Sequence, residues 1–216
     1  MGGLIMSVIL NATTSNGMTM TPDNSGAIQF QSNGTNTVGI TTAGSLTIPS
    51  GQSLSIGSNQ ATNGPAFSCY PNAQQTISNT TFTLVANQVK EYDTNTCYNN
   101  TGSTVTLNGL SVPAYAFCPN VAGYYMFTGA VQYGSTVTAA LVQLYKNGGS
   151  TQKRGTYSNG GSTSGTSVAA MFYLNGTGDY VQLYTYQGSG SSQATDGTSS
   201  DWPFVQYFQG CMLRGA

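Results

Sequence analysis

The first 64 residues alternate. In "MTMTPDNSGAIQFQSNGTNTVGITTAGSLTIPSGQSLSIGS", Val, Ile, Leu, Phe and Met are interleaved with Thr, Ser and Gln, and "DNSG", "SNG" and "TAG" interrupt the pattern. A period of two sends successive side chains to opposite faces, so it predicts short β-strands, and Gly and Asn supply the positive φ of tight turns. The segment is short and its side chains are small, so its apolar face is expected to pack against copies of itself or a larger scaffold. "NQATNGPA", residues 59–66, reads as a junction. It divides the chain into an N-terminal β segment at 1–64 and a second unit at 65–216.

Beyond Pro65 the strands turn aromatic. "TFTLV", "TVTLNGLSV", "GYYMFTGAVQY", "TAALVQLYKNG", "SVAAMFYLNGTGDYVQLYTYQ" and "WPFVQYFQGCMLR" are β-branched and aromatic runs closed by Gly, Asn or Asp. About eight strands over some 150 residues predict an all-β sandwich or jelly roll. The stretch "FCPNVAGYYMF", residues 117–127, carries the strongest signal. Pro119 suits a strand entry, where its missing N–H costs no ladder bond, and Gly123 allows a bend or a close backbone approach. After it, Tyr125 and Phe127 point to one face while Tyr124 and Met126 point to the other. A strand that is aromatic on both faces is buried on both. One face fills the sandwich; the other needs a second subunit. Tyr124, Tyr125, Phe127, Tyr207 and Phe208 are therefore the residues expected in the core or at the subunit interface.

Composition narrows the class. Only 5% of the residues are charged against 38% hydrophobic, yet the chain holds 14 Tyr and 8 Phe. Disordered chains are usually charged and poor in aromatics, so an ordered protein with a neutral polar surface fits better. Five basic residues and a net charge of −1 leave no Lys/Arg face able to neutralise several phosphates, which excludes nucleic acid as a main partner. The opening "MGGLIMSVILN" has no basic residue before its apolar run and is too short to span a bilayer. Met6 also stands where a myristoylation signal wants Ser or Thr. Neither export nor membrane insertion is expected, and Leu4, Ile5, Val8, Ile9 and Leu10 are read as a docking segment.

With no His in the chain, imidazole metal sites and His-based triads are ruled out, and no cofactor is expected. Six scattered carboxylates make paired-acid hydrolysis, and enzymes in general, a poor fit. Cys69, Cys97, Cys118 and Cys211 allow three pairings and show no CxxC spacing, so disulfides and buried free thiols both stay open.

The motifs from Pro65 onward resemble, in order, those of the globular heads of the first complement component and their relatives, which share a jelly roll with the tumour necrosis factor family. "PAFSCY" is similar to the first strand and "EYDTNTCYNN" to the Phe-Asp segment after it. "FCPNVAGYYMF" resembles Phe-Thr-x-x-x-x-Gly-x-Tyr-x-Phe, "LYKNGG" the Lys-Asn-Gly turn, "LNGTGDYVQL" the Gly-Asp-x-Val strand and "YFQGCMLR" the closing strand. Tyr92 for Phe, Cys118 for Thr and Cys211 for an aromatic are departures that touch core packing. The resemblance implies a threefold homotrimer. It also places the strand of Cys69 beside the closing strand of Cys211, which implies a Cys69–Cys211 bridge and, with it, Cys97–Cys118. A Thr/Ser/Asn-rich β segment ahead of such a head is similar to virion proteins of tailed bacteriophages. The collagen stalk of the animal relatives has no counterpart, since no Gly-x-y register occurs.

Other residues admit sharper and plainer readings. Asp179 in "NGTGDYV" could ligate calcium, as related heads do, but one carboxylate in a turn reads better as a local hydrogen-bond acceptor. Asp196 and Asp201 read as a solvated or partner-contacting loop before they read as a catalytic pair. Lys153 and Arg154 read as a solubility device at a hairpin tip. Asn-x-Ser/Thr sites at Asn11, Asn79 and Asn175 are expected by chance in so Asn-rich a chain.

Together these features predict a structural virion protein: a trimeric capsid decoration or cement protein whose N-terminal segment docks on the major capsid protein. It would be assembled in the host cytoplasm and carried on the released particle. The alternative is a short tail fibre or receptor-binding tip, joined to tail proteins and recognising a host surface glycan. A secreted ligand of the tumour necrosis factor type fits less well, for want of an export signal.

Overall fold

The computed structural model describes residues 28–32, 35–40, 43, 46–48, 54–56, 59–61, 64–149, 152–196 and 205–216. Two compact units divide between Leu54 and Ser55, whereas the sequence pattern places the division after Gly64. In the first unit, β1 (Ile28–Ser32), β2 (Thr35–Ile40) and β3 (Leu46–Thr47) form an antiparallel sheet in that order. The β1–β2 register runs from Ile28↔Ile40 to Ser32↔Thr35 with a shift at Phe30/Gln31, and the strands flank the Ser-Asn-Gly signal. β4 (Leu54–Ile56) and β5 (Asn59–Ala61) make a separate two-stranded ladder.

The second unit is a jelly roll wound from one eight-stranded sheet. Its strands are β6 (Ala66–Tyr70), β7 (Thr76–Ile77), β8 (Thr83–Leu84), β9 (Val89–Asp93), β10 (Val105–Leu107), β11 (Leu110–Val112), β12 (Ala116–Phe117), β13 (Gly123–Lys146), β14 (Gln152–Leu174), β15 (Val181–Gln187), β16 (Gln193–Ala194) and β17 (Tyr207–Gly215). The eight-stranded sheet runs β12-β15-β13-β17-β6-β9, with β14 on β13 and β8 on β15, and β10–β11 and β16–β7 are separate two-stranded ladders.

Two long strands explain the curl. The sequence reads as separate strands on either side of "GSTVT", yet β13 is continuous over 24 residues and β14 over 23. Register shifts fall between Gln132 and Val137 and between Val137 and Ala139. Such irregularities bend a strand and raise its twist. The first half of β13 lies beside β17, and the second half lies beside β15. One hairpin thus serves both layers.

The core lies between the layers. Phe67 stacks on Phe117 at 4.4 Å and meets Phe208 edge-on at 4.8 Å, with Tyr125, Phe127, Leu144, Leu174, Val181 and Leu183 buried around them. Tyr98 is enclosed with its hydroxyl donating to Asn87 O at 3.1 Å, which satisfies a group that would be costly to bury alone.

A flap, β10 and β11, extends from this body. Its turn uses Asn108 (φ 51°) and Gly109 (φ 77°), the Asn-Gly pair that tight hairpins favour because both positions need positive φ. The Asn108 amide then reaches back, donating to Asn95 O at 2.8 Å and Thr96 O at 3.0 Å. Val112, Ala116 and Cys118 form a small second core with Val105, Leu107, Leu110 and Tyr180.

Candidate interaction face

The outward surface of the layer β14-β13-β17-β6-β9 is built by simple alternation. On β13, Tyr125 and Phe127 are wholly buried, so Tyr124, Met126 and Thr128 face out. On β14, Phe172 and Leu174 turn inward and leave Met171 and Tyr173 outside. Register then sets the rows: Tyr124 opposite Tyr173, Met126 opposite Met171 and, across the other edge, Cys211. Cys211 in turn lies opposite Ala66 on β6, and Gln209 opposite Ser68. Tyr92 of β9 completes the face opposite Ser68.

This surface is soft and weakly charged. Tyr124 is 49% exposed, Met171 59% and Tyr173 42%, and the Tyr124 and Tyr173 rings lie 5.5 Å apart. Tyr92 and Leu213 are exposed as well. A shallow depression of about 190 Å³ opens between Tyr92, Met126, Thr128, Gln209, Gly210 and Cys211. Gly210 lines it with backbone, and on the core side a Cβ there would stand 2.6 Å from the Phe127 ring and 2.8 Å from Met126 O. Gly123 likewise permits a close approach, since its Cβ would lie 2.5 Å from Arg214 O. Within the depression the Thr128 hydroxyl finds no hydrogen-bond partner among the described residues. Contiguous apolar surface of this kind marks sites of protein association.

The five residues expected in the core or at the interface divide. Tyr125, Phe127 and Phe208 belong to the core, Tyr207 is half-buried, and Tyr124 stands on the open face. The sequence pattern missed Tyr92, Met171, Tyr173 and Leu213. The run "AAMFYL" carried the same two-sided signal as "GYYMF" and could have found two of them. Leu4, Ile5, Val8, Ile9 and Leu10 lie outside the described residues.

All four cysteines are free thiols. Cys69 is paired in register with Phe208, and Cys211 with Ala66. An offset of three residues puts the two side chains on opposite faces of the sheet, Cys69 buried and Cys211 exposed. The expected Cys69–Cys211 bridge is therefore corrected: adjacent strands do not suffice when register separates the thiols. Burial pushes the Cys69 thiol far up, although Tyr98 and the Phe208 carbonyl hydrogen-bond it. Cys97 and Cys118 lie opposite one another on antiparallel segments, beside the Tyr98↔Phe117 bridge.

Of the two readings of Asp179, the geometry fits the turn acceptor. Its carboxylate takes Lys146 Nζ at 2.8 Å, Asn147 Nδ2 at 2.7 Å and the Asn175 N–H at 3.1 Å. Burial of the carboxyl works to raise its pKa, but hydrogen bonds from Lys146 and Asn147, the Lys146 charge and the Asn175 N–H outweigh it, and the pKa lies below its ordinary value. Asp196 is pinned to β13, accepting from Gln132 Nε2 at 3.1 Å, while Asp201 lies outside the described residues. Lys153 and Arg154 fall in the first turn-proximal residues of β14 rather than at the tip, which is Asn147–Gly149. Among the described residues no cluster of His, Cys, Asp or Glu could hold a metal ion, and no helix is long and apolar enough to cross a membrane.

No protein-family model and no curated protein matches the chain. Among solved structures, the globular domain of zebrafish complement 1qA protein is similar at 17% identity and a TM-score of 0.49, covering 71% of this chain and 99% of that one. Murine APRIL is similar at 12% identity and 0.45, covering 69% and 99%. The PRD1 vertex protein P5 is similar at 11% identity and 0.44, covering 68% and 96%.

Proposed function

We propose that this chain is a structural protein of a tailed-phage virion, a homotrimer that decorates and cements the capsid. The observation that carries the reading is the uncovered sheet face around Tyr124, Met126, Met171 and Tyr173. Aromatic and methionine side chains in a row, with an unpartnered hydroxyl among them, match the core of an obligate interface more than a solvated surface. A second copy of the chain is the partner that such a face fits, and repetition about a threefold axis closes the assembly without leaving a free patch.

The capsid assignment rests on the N-terminal segment. Residues 1–64 hold one charge, Asp23, and the apolar run "LIMSVIL". A surface with so little charge loses little hydration energy when buried against another protein, and strand edges can pair with a neighbour's sheet. A trimer presents three such segments, so modest individual affinities combine into firm attachment. Copy number tests the reading directly. Quantitative mass spectrometry of purified particles should find hundreds of copies per virion, the full chain should bind empty shells, and particles without it should release genome at lower temperature. A few dozen copies, or binding to purified tails alone, would replace the decoration reading with the receptor-binding tip and its glycan.

A further inference from the structure

Two cysteines lie opposite one another at the neck of the flap. Cys97 lies just before the excursion and Cys118 just after it, and their segments run antiparallel. Tyr98↔Phe117 is an isolated antiparallel bridge, flanked by Cys118 N donating to Cys97 O at 2.8 Å and Asn99 N donating to Ala116 O at 2.9 Å. That pattern makes Cys97 and Cys118 directly opposed residues, for which the Cα atoms are about 5.5 Å apart. Disulfides span Cα separations of about 4.4–6.8 Å. Directly opposed residues also send their side chains to the same side. The pair therefore meets both conditions that Cys69 and Cys211 fail.

We propose that Cys97 and Cys118 are a latent cross-strand pair that oxidation closes into a disulfide, locking the β10–β11 flap onto the body. In the reduced state the flap is held by the Asn108 amide, by the Asn99 amide donating to Val112 O at 3.0 Å, and by a small apolar core. Both thiols are wholly buried, and burial pushes each up to about 11, so the thiolate needed for exchange is scarce while the flap is closed. Oxidation proceeds through the opened flap. With oxidised glutathione as the oxidant, each cysteine gives up a proton and one electron; glutathione disulfide takes both electrons and both protons and leaves as two glutathione thiols. The new S–S bond closes a loop of about 20 residues and restricts the unfolded ensemble.

The test uses the full chain, reduced and then incubated with oxidised glutathione under mildly alkaline conditions. Peptide mapping without reduction should recover one cross-link, Cys97 to Cys118, and the melting temperature should rise by roughly 5–10 °C, reverting on addition of dithiothreitol. A Cys69→Ser/Cys211→Ser variant should still lose both of its alkylatable thiols on oxidation, whereas Cys97→Ser should gain no intramolecular bridge. Four alkylatable thiols after oxidation and unfolding, a glutathione adduct in place of the bridge, or a cross-link through Cys69 or Cys211 would each overturn the proposal. Should the double variant fail to fold, mapping of the natural chain decides alone.

Discussion

The long hairpin of β13 and β14 carries aromatic side chains on its outward surface at both ends, and the two ends are finished differently. Toward Lys146 the outward Tyr145 is covered by its own chain. It stacks on Tyr184 at 4.2 Å, Phe82 lies 6.1 Å away, Lys153 Nζ sits 4.6 Å over the ring, and only 7% of the residue is exposed. Toward Gly123, Tyr124 and Tyr173 pair with one another and stay about half exposed. An aromatic surface that the chain covers itself needs no partner; one that it leaves open is available to another molecule. Under the proposed reading, the same composition serves folding at one end and association at the other.

The largest expected effect breaks the open end. Met171→Glu puts a charge where a neighbour would bury it, and because Met171 is exposed in the single chain the fold should survive. Trimer association should weaken at least ~100-fold, read by sedimentation with circular dichroism unchanged. A mutant that stays trimeric would show that this face is not the interface. Tyr124→Ala and Tyr173→Ala should each weaken association by about 1–3 kcal/mol. At the covered end, Phe82→Ala should leave sedimentation unaltered and lower the melting temperature instead, through roughly 1–2 kcal/mol of lost apolar burial.

A smaller effect concerns Lys146, which joins the two ends by bonding Asp179 and the Tyr173 carbonyl, the latter at 2.7 Å. Because the folded pKa of Asp179 lies below its ordinary value, the carboxylate stabilises the fold in full above the unfolded carboxyl's pKa of about 3.9 and loses that contribution as pH falls through the folded value. Asp179→Asn should cost about 1 kcal/mol near neutral pH, and the gap between the two melting curves should close as the pH drops below about 4. The smallest effect is Tyr157→Ala. That ring is exposed on β14 opposite Leu141, outside the face around Tyr124 and Met171, and both stability and association should stay within about 0.5 kcal/mol.

Much of this architecture is legible in the chain because alternation is local. Tyr125 and Phe127 against Tyr124 and Met126 mark a strand that is apolar on both sides from four adjacent residues alone, and the closing "YFQGC" places Phe208 in the core. What sequence could not show is set by register. "GSTVT" reads as a turn because Gly and Ser favour one, yet its backbone stays extended within β13, with Val137 paired to Thr163 of β14. Cys69 and Cys211 sit on neighbouring strands as expected, and a three-residue offset turns them away from each other. Tyr145 and Tyr124 look alike in sequence; the stacking of Tyr184 and the approach of Phe82 from distant segments, with Lys153 opposite on β14, make one of them covered.

The pairing of β6 with β17 also fixes the order in which the molecule can be made. Cys69 is matched with Phe208 and Ala66 with Cys211, so the seam between the first and last strands of the jelly roll cannot close until residues 207–215 have left the ribosome. Contacts this distant in sequence are paid for in loop entropy before they are rewarded, which places folding in the millisecond-to-second range typical of β-sandwiches. During synthesis the β13–β14 hairpin is complete before β17 emerges, which leaves its Tyr- and Met-rich surface and an unzipped strand edge both open to other nascent chains. Chains translated side by side on one message would meet in that state, and subunits would then find their partners while still incomplete.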